Sequence, residues 1–196
     1  MLIQQGVSWD EYEELLEMGS LRISYDDGTL QIMTVSQKHE KYSTLIERIV
    51  DLISLRLRIK ILFYGSATMR KKLKQKGVEP DACFYVRNAT QVGTKEEIDF
   101  NTDPPPDVVV EIDLHHDSIS KFPIYAAFGV PEFWRYDRET LTIFHLREGQ
   151  YEPSPASLSL PFLTSHVLTE FLGRIAKEDQ YDILLAFEQR LKTQSR

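Results

Sequence analysis

Cysteine is nearly absent from this chain. One cysteine, Cys83, stands among 196 residues, which excludes an intrachain disulfide and a Cys-rich zinc site. No run of 18 or more apolar residues occurs, so no membrane-spanning helix is expected. The start, MLIQQGVSWDEYEELL, lacks the basic opening and apolar centre of a secretory leader, and a cytoplasmic protein is the simplest expectation. Positive charge is in deficit: the net charge is −7. Internal repeats and linker-like composition are missing too. With 42% hydrophobic residues the chain is long enough to bury a core, and one globular domain over residues 1–196 is expected.

What positive charge there is clusters. Between Arg56 and Val78 lie Arg56, Arg58, Lys60, Arg70, Lys71, Lys72, Lys74 and Lys76 with no acid, a segment of +8. Arg70, Lys71, Lys72, Lys74 and Lys76 are the candidate contacts for an anionic partner. The plainer reading of RKKLKQKG is a solvated hairpin tip.

WDEYEELLEMG has helical spacing and ends at Gly19. LRISYDDGTLQIMT alternates around Asp27–Gly28, a hairpin signal. Ser36 is placed to cap a helix from Gln37 to Arg58 with Leu45, Ile49, Leu52, Ile53 and Leu57 on its apolar face. IKILFYGSATM and ACFYVR read as strands, and the polar, Pro-ending stretch 88–106 as the most mobile loop. A short helix is expected at KFPIYAAFG, with Ser120 as N-cap, Pro123 in the first turn and Gly129 closing it. EFWRYDRETLTIFHL gives two strands, and a third passes through Gln150–Tyr151. Ser165 is placed to cap a C-terminal helix or helix pair over about 165–193. The expected fold class is mixed α/β with one central sheet flanked by helices.

The chemistry concentrates in DVVVEIDLHHDSISK, residues 107–121. Side chains alternate along a strand, so Val109, Glu111 and Asp113 share one face and Val108, Val110 and Ile112 the other. In EPDACFYV the same rule groups Asp81, Cys83 and Tyr85. If the two strands are neighbours, Asp81 and Glu111 converge. Two converging carboxylates repel unless a cation lies between them, and oxygen ligands without cysteine favour Mg²⁺ or Mn²⁺. A nearby lysine would stabilise charge developing on a phosphate.

The ordered set Pro80–Asp81, then Pro106–Asp107 with three valines and Glu111, then Lys121, Tyr125 and GVPEFW resembles the Uma2 family, from about Trp9 to Leu191. The resemblance implies a restriction-endonuclease-like, PD-(D/E)XK fold and metal-dependent hydrolysis of DNA phosphodiester bonds, with no organic cofactor. It implies that Asp81 and Glu111 hold Mg²⁺ or Mn²⁺ and that Lys121 completes the catalytic set. The usual lysine place, two after Glu111, holds Asp113, which becomes a further ligand or a salt-bridge partner of Lys121. His39 and Glu40 are accessory candidates at the start of the first core helix. A homodimer would suit cutting both strands. The competing expectation is a weak or inactive nuclease-fold protein that binds nucleic acid or acts as a dimeric interaction module.

Other residues draw plainer readings. His115 and His116 read as loop residues near the site rather than zinc ligands. His145 and His166 read as structural, Phe133, Trp134 and Tyr136 as core or interface aromatics, and Asp107 as a strand-entry or capping group.

Overall fold

The computed structural model describes residues 2–19, 21–33, 36–114 and 118–194. His115, His116 and Asp117 lie outside the described residues. The order is β1 (Leu2–Gln5), α1 (Trp9–Glu17), β2 (Arg22–Asp26), β3 (Thr29–Met33), α2 (Gln37–Leu57), β4 (Leu62–Gly65), β5 (Met69–Lys71) and β6 (Lys76–Val78). There follow β7 (Ala82–Tyr85), α3 (Ala89–Val92), β8 (Val108–Ile112), α4 (Phe122–Phe128), β9 (Glu132–Tyr136), β10 (Leu141–Arg147), β11 (Gln150–Ser154), α5 (Ser165–Gly173) and α6 (Gln180–Gln194).

Two sheets form where one was expected. The larger runs β11-β10-β9-β8-β7-β4 and is antiparallel except for β8 and β9, which α4 connects in parallel. The smaller, antiparallel, runs β1-β3-β2-β6-β5. The basic stretch builds the second sheet: β5 and β6 pair with each other, and β6 joins β2 through Tyr25 and Asp26. Gly77 permits this junction, because a Cβ there would lie 2.0 Å from the Tyr12 hydroxyl. Trp9, Tyr12 and Tyr25 pack ring on ring beneath it.

Local signals explain most element ends. Ser8 and Glu11 form a capping box at α1, and Ser36 accepts from the His39 N–H at α2. Asp27 and Gly28 both take positive φ, the requirement of a tight hairpin with matching twist. Two expected caps move, and one open alternative is decided. Thr164, not Ser165, caps α5, and Ser165 Oγ instead accepts from the Ile143 N–H. A 3-10 turn at Arg174–Ala176 separates α5 from α6, so the C-terminal helix is a pair. Ser120 lies inside a 3-10 turn, Ser118–Lys121, and Lys121 occupies the N-cap position of α4 without a side-chain cap.

Strand alternation divides the core. Ala82, Phe84, Val108, Val110 and Trp134 face α2, α5 and α6. Cys83, Val109 and Phe133 face Tyr125 and Phe128 of α4, together with Met69 and Val78 of the small sheet. The stretch 88–106 is pinned rather than free. Ala89, Val92 and Phe100 are buried, Tyr85 donates to the Pro104 carbonyl and Tyr64 to that of Lys95. Among the described residues no helix is long and apolar enough to cross a membrane.

Candidate active site

β7 and β8 are antiparallel neighbours, with Ala82 opposite Val110. This register sets Asp81 beside the end of β8. The Asp81 N–H donates to the Val110 carbonyl at 3.0 Å, and its Oδ2 accepts from the Ile112 N–H at 2.6 Å. His39 Nε2, from the first turn of α2, lies 2.9 Å from the same oxygen. An ionised carboxylate only accepts, so Nε2 carries the proton. Arg22, at the start of β2, donates to Asp81 Oδ1. Burial alone would raise the Asp81 pKa, but the His39 hydrogen bond and the charges of Lys121 and Arg22 hold it below the ordinary value.

Glu111 on β8 is 2% exposed. Lys121 Nζ donates to its two oxygens at 2.9 and 2.7 Å, and the Tyr125 hydroxyl donates at 2.5 Å. Lys121 and Tyr125 stand one helical turn apart, so both reach one carboxylate. Burial pushes the Glu111 carboxyl up to about 7; Lys121 opposes this and the Asp81 charge adds to it. Burial and Glu111 push the Tyr125 phenol well up, so it stays a donor.

Asp113 pairs with Arg135 and not with Lys121, as one of its two expected roles required. Pairing of β8 with β9 ends at Ile112 opposite Tyr136, with the Asp113 N–H donating to the Tyr136 carbonyl at 2.7 Å. Asp113 Oδ2 accepts from the Ser118 N–H and Oγ, both at 2.9 Å, and from Arg135 Nε at 2.5 Å. It anchors the turn leading to Lys121, whose own ion pair is with Glu111. Of the accessory candidates, His39 faces Asp81 while the Glu40 side chain is 57% exposed.

Two participants escaped the sequence. Arg22 arrives from the other sheet, 59 residues before Asp81, with no local pattern to mark it. Glu79 precedes Pro80 in a loop; it is half-buried and accepts from Thr68 Oγ1 at 3.1 Å. Burial raises its pKa, while Thr68, Arg22 and Lys121 oppose the rise. Glu79 and Arg22 both line an open cleft of about 1280 Å³, which Asp81, Glu111 and Lys121 do not line.

The basic candidates are each engaged by a group of the chain, although Arg70, Lys72 and Lys74 remain exposed. Arg70 pairs with Glu13, Lys72 with Asp10 and Glu13, and Lys76 with Asp26. Lys74 donates to the Ala127 carbonyl, and Lys71 lies 5.6 Å from the Phe128 ring centre. The acids of α1 and β2 therefore offset the hairpin's cations. His145 is buried against the Ala156 carbonyl, as expected of a structural residue, whereas His166 is exposed. Glu132, of GVPEFW, is fully buried; it accepts from Trp134 Nε1 and the Ser159 N–H.

The donor chemistry suits a hard divalent cation. Asp81 and Glu111 offer carboxylate oxygens from adjacent strands, and Glu111 is short of compensating positive charge even with Lys121 on it. Among the described residues no group of three or more acidic, His or Cys side chains is arranged to hold a metal. An ion here would have two carboxylates and otherwise water and substrate oxygens, the manner usual for Mg²⁺.

A mixed sheet flanked by helices, with Asp81 entering one central strand and Glu111 of its neighbour paired with Lys121 from the turn before α4, defines a mixed α/β protein with a buried carboxylate–lysine centre. The chain belongs to the Uma2 family, whose model, described as "Putative restriction endonuclease", matches residues 9–175. Among solved structures it is similar to one described as "a putative nuclease belonging to DUF820 from Anabaena variabilis". That match has 16% identity and a TM-score of 0.57, and it covers 85% of this chain and 99% of the other. The comparison with curated proteins gives no match.

Proposed function

We propose that the protein is an endonuclease that hydrolyses DNA phosphodiester bonds with the help of Mg²⁺ or Mn²⁺ held by Asp81 and Glu111. The observation that carries this reading is the buried Lys121–Glu111 pair beside Asp81 on the adjoining strand. When bound, the ion polarises the phosphoryl oxygens and lowers the pKa of an attacking water.

The chain's own groups do the rest. Hydrolysis forms one P–O bond from water and breaks one ester P–O bond; the water loses a proton and the leaving oxygen gains one. Lys121 supplies fixed positive charge where negative charge builds on the phosphoryl group, in a site shielded from water. Tyr125 orients Glu111, and His39 and the Ile112 N–H orient Asp81 through one of its two oxygens. Glu79, the cleft carboxylate that feels both Arg22 and Lys121, is the group we assign to accept the water's proton; burial has raised its pKa and the cleft reaches it.

Plasmid cleavage in Mg²⁺ or Mn²⁺ tests the reading, with wild type set against Glu111→Ala. No cleavage with either metal, or equal cleavage by the variant, sinks it. A homodimer as the working unit is checked by light scattering.

One observation favours a second reading, a nuclease-fold protein without effective turnover. The Asp81, Glu111 and Lys121 side chains are only 2–3% exposed. Salt-dependent DNA binding without cleavage would support this alternative.

A further inference from the structure

Asp81 has two oxygens, and they are used differently. Oδ2 is committed inward, to the Ile112 N–H and His39 Nε2. Oδ1 is the oxygen left for an incoming cation, and Arg22 already holds it. The guanidinium thus stands where a metal ion would bind. Arg22 is also the point of access: its side chain is 14% exposed and lines the cleft, whereas that of Asp81 behind it is 3% exposed.

Two positive groups on one carboxylate oxygen repel, so an ion at Oδ1 must displace the arginine. A displaced guanidinium needs an anion. Its planar fork of donors matches two oxygens of a phosphate. The cleft offers little other positive charge: six carboxylates line it, against Arg22, Arg70 and Lys95. Arg70 and Lys95 are themselves paired, with Glu13 and Asp103. Arg22 is therefore the cation best placed to receive a phosphodiester that enters there.

We propose that Arg22 is a substrate-positioning residue that exchanges partners, holding Asp81 Oδ1 at rest and a phosphate of the substrate once a divalent cation takes that oxygen. This rests on the nuclease reading. It makes metal binding and nucleic-acid binding mutually reinforcing, since each removes a competitor of the other.

The test uses the full chain. Mn²⁺ is titrated calorimetrically into wild type, Arg22→Gln and Arg22→Lys. A fluorescent duplex oligonucleotide is titrated with and without Ca²⁺, its intactness checked on a gel. Arg22→Gln is expected to bind Mn²⁺ about tenfold more tightly, because the competing state is gone. It is expected to lose most of the Ca²⁺-dependent gain in oligonucleotide affinity, again about tenfold. Arg22→Lys is expected to fall between the two, as it keeps the charge and lacks the fork.

Asp81→Asn supplies an independent arm: with Arg22 released, it is expected to bind the oligonucleotide without Ca²⁺ at least as well as wild type does with it. Unchanged or weaker Mn²⁺ binding by folded Arg22→Gln overturns the exchange, as does no gain in Asp81→Asn. If Arg22→Gln does not fold, Arg22→Lys and Asp81→Asn decide. Wild type that cleaves DNA while these affinities stay flat rejects the exchange alone. Wild type that neither binds Mn²⁺ nor cleaves rejects the nuclease reading and the exchange together.

Discussion

Lys121 Nζ lies 2.7 Å from one carboxylate oxygen of Glu111 and 2.9 Å from the other, with both side chains nearly sealed from solvent. Such a pair offsets two large desolvation costs, and its net contribution is small beside the cost of breaking it. The Tyr125 hydroxyl on the same carboxylate adds a neutral donor whose geometry fixes the Glu111 rotamer.

Removing the ammonium therefore strands a buried carboxylate. Lys121→Met is expected to destabilise the fold by about 3–5 kcal/mol near pH 8. The loss should shrink towards about pH 5, where Glu111 takes a proton and the stranded charge disappears. Urea unfolding at the two pH values checks this. An equal loss at both would mean that lost packing, not charge, sets the cost.

Wild-type stability should carry the signature of Glu111. Its carboxyl is pushed from an ordinary 4.5 to about 7, so the folded state holds a proton that the unfolded state has released. That contribution is fully present below 4.5 and is lost as pH rises through about 7. Asp81 runs the other way: its lowered pKa gives stability that is present above its unfolded value and lost in acid. Relative to Glu111→Gln, wild type is expected to lose at most roughly 3 kcal/mol between about pH 5 and 8. A flat difference in urea midpoints would refute it.

The helix, the hairpin and the central strand were legible because each rests on local chemistry. Ser36 caps α2, Asp27–Gly28 turns the β2–β3 hairpin, and the valines of β8 split between two cores as alternation requires. Alternation brought Asp81 and Glu111 together only on condition that their strands were neighbours, which the β7–β8 pairing meets. The partner of Asp113 could not be named, because Arg135 lies opposite Glu111 on β9, a strand whose parallel register with β8 no local pattern reveals. Arg22 was invisible because its partner lies on another sheet. The second sheet was missed because a run of lysines hides short strands, whose acidic partners sit some 50 to 60 residues upstream.

The junction of the two sheets depends on an absent side chain. Gly77→Ala would place a Cβ against the Tyr12 ring, with contacts of 2.0, 2.4 and 2.8 Å to its atoms. Tyr12 is fully buried between Trp9 and Tyr25 and has little room to move. The expected cost is about 1–3 kcal/mol, read as a lower melting temperature. The companion Gly149→Ala meets nothing within 4 Å at its Cβ, though its positive φ still carries a smaller strain. A larger loss for Gly149→Ala would overturn this assignment.

The basic hairpin should matter less to nucleic acid than its composition suggests. Lys72 is paired with Asp10 and Glu13, and Lys74 is turned onto the Ala127 carbonyl. The double change Lys72→Gln and Lys74→Gln is expected to alter oligonucleotide affinity by less than about threefold near 0.15 M salt. The salt dependence should keep a nearly unchanged slope, since few condensed ions are released there. A loss of tenfold or more would restore the hairpin as a nucleic-acid surface.

Two Pro–Asp pairs occur in this chain, and the structure gives them different work. Asp81 points towards the Glu111 centre, whereas Asp107 accepts from the Val86 N–H at 2.8 Å, the Asn88 N–H at 2.9 Å and Asn88 Nδ2 at 3.0 Å. Asp107 is 1% exposed, so its removal leaves donors without partners in a dry place. Asp107→Ala is expected to cost roughly 1–3 kcal/mol of stability. DNA cleavage per folded molecule should survive, in contrast to Asp81→Asn. Urea unfolding and plasmid cleavage on the same preparations separate the two. If Asp107→Ala loses cleavage while keeping its stability, the second Pro–Asp pair belongs to the site and not to the scaffold.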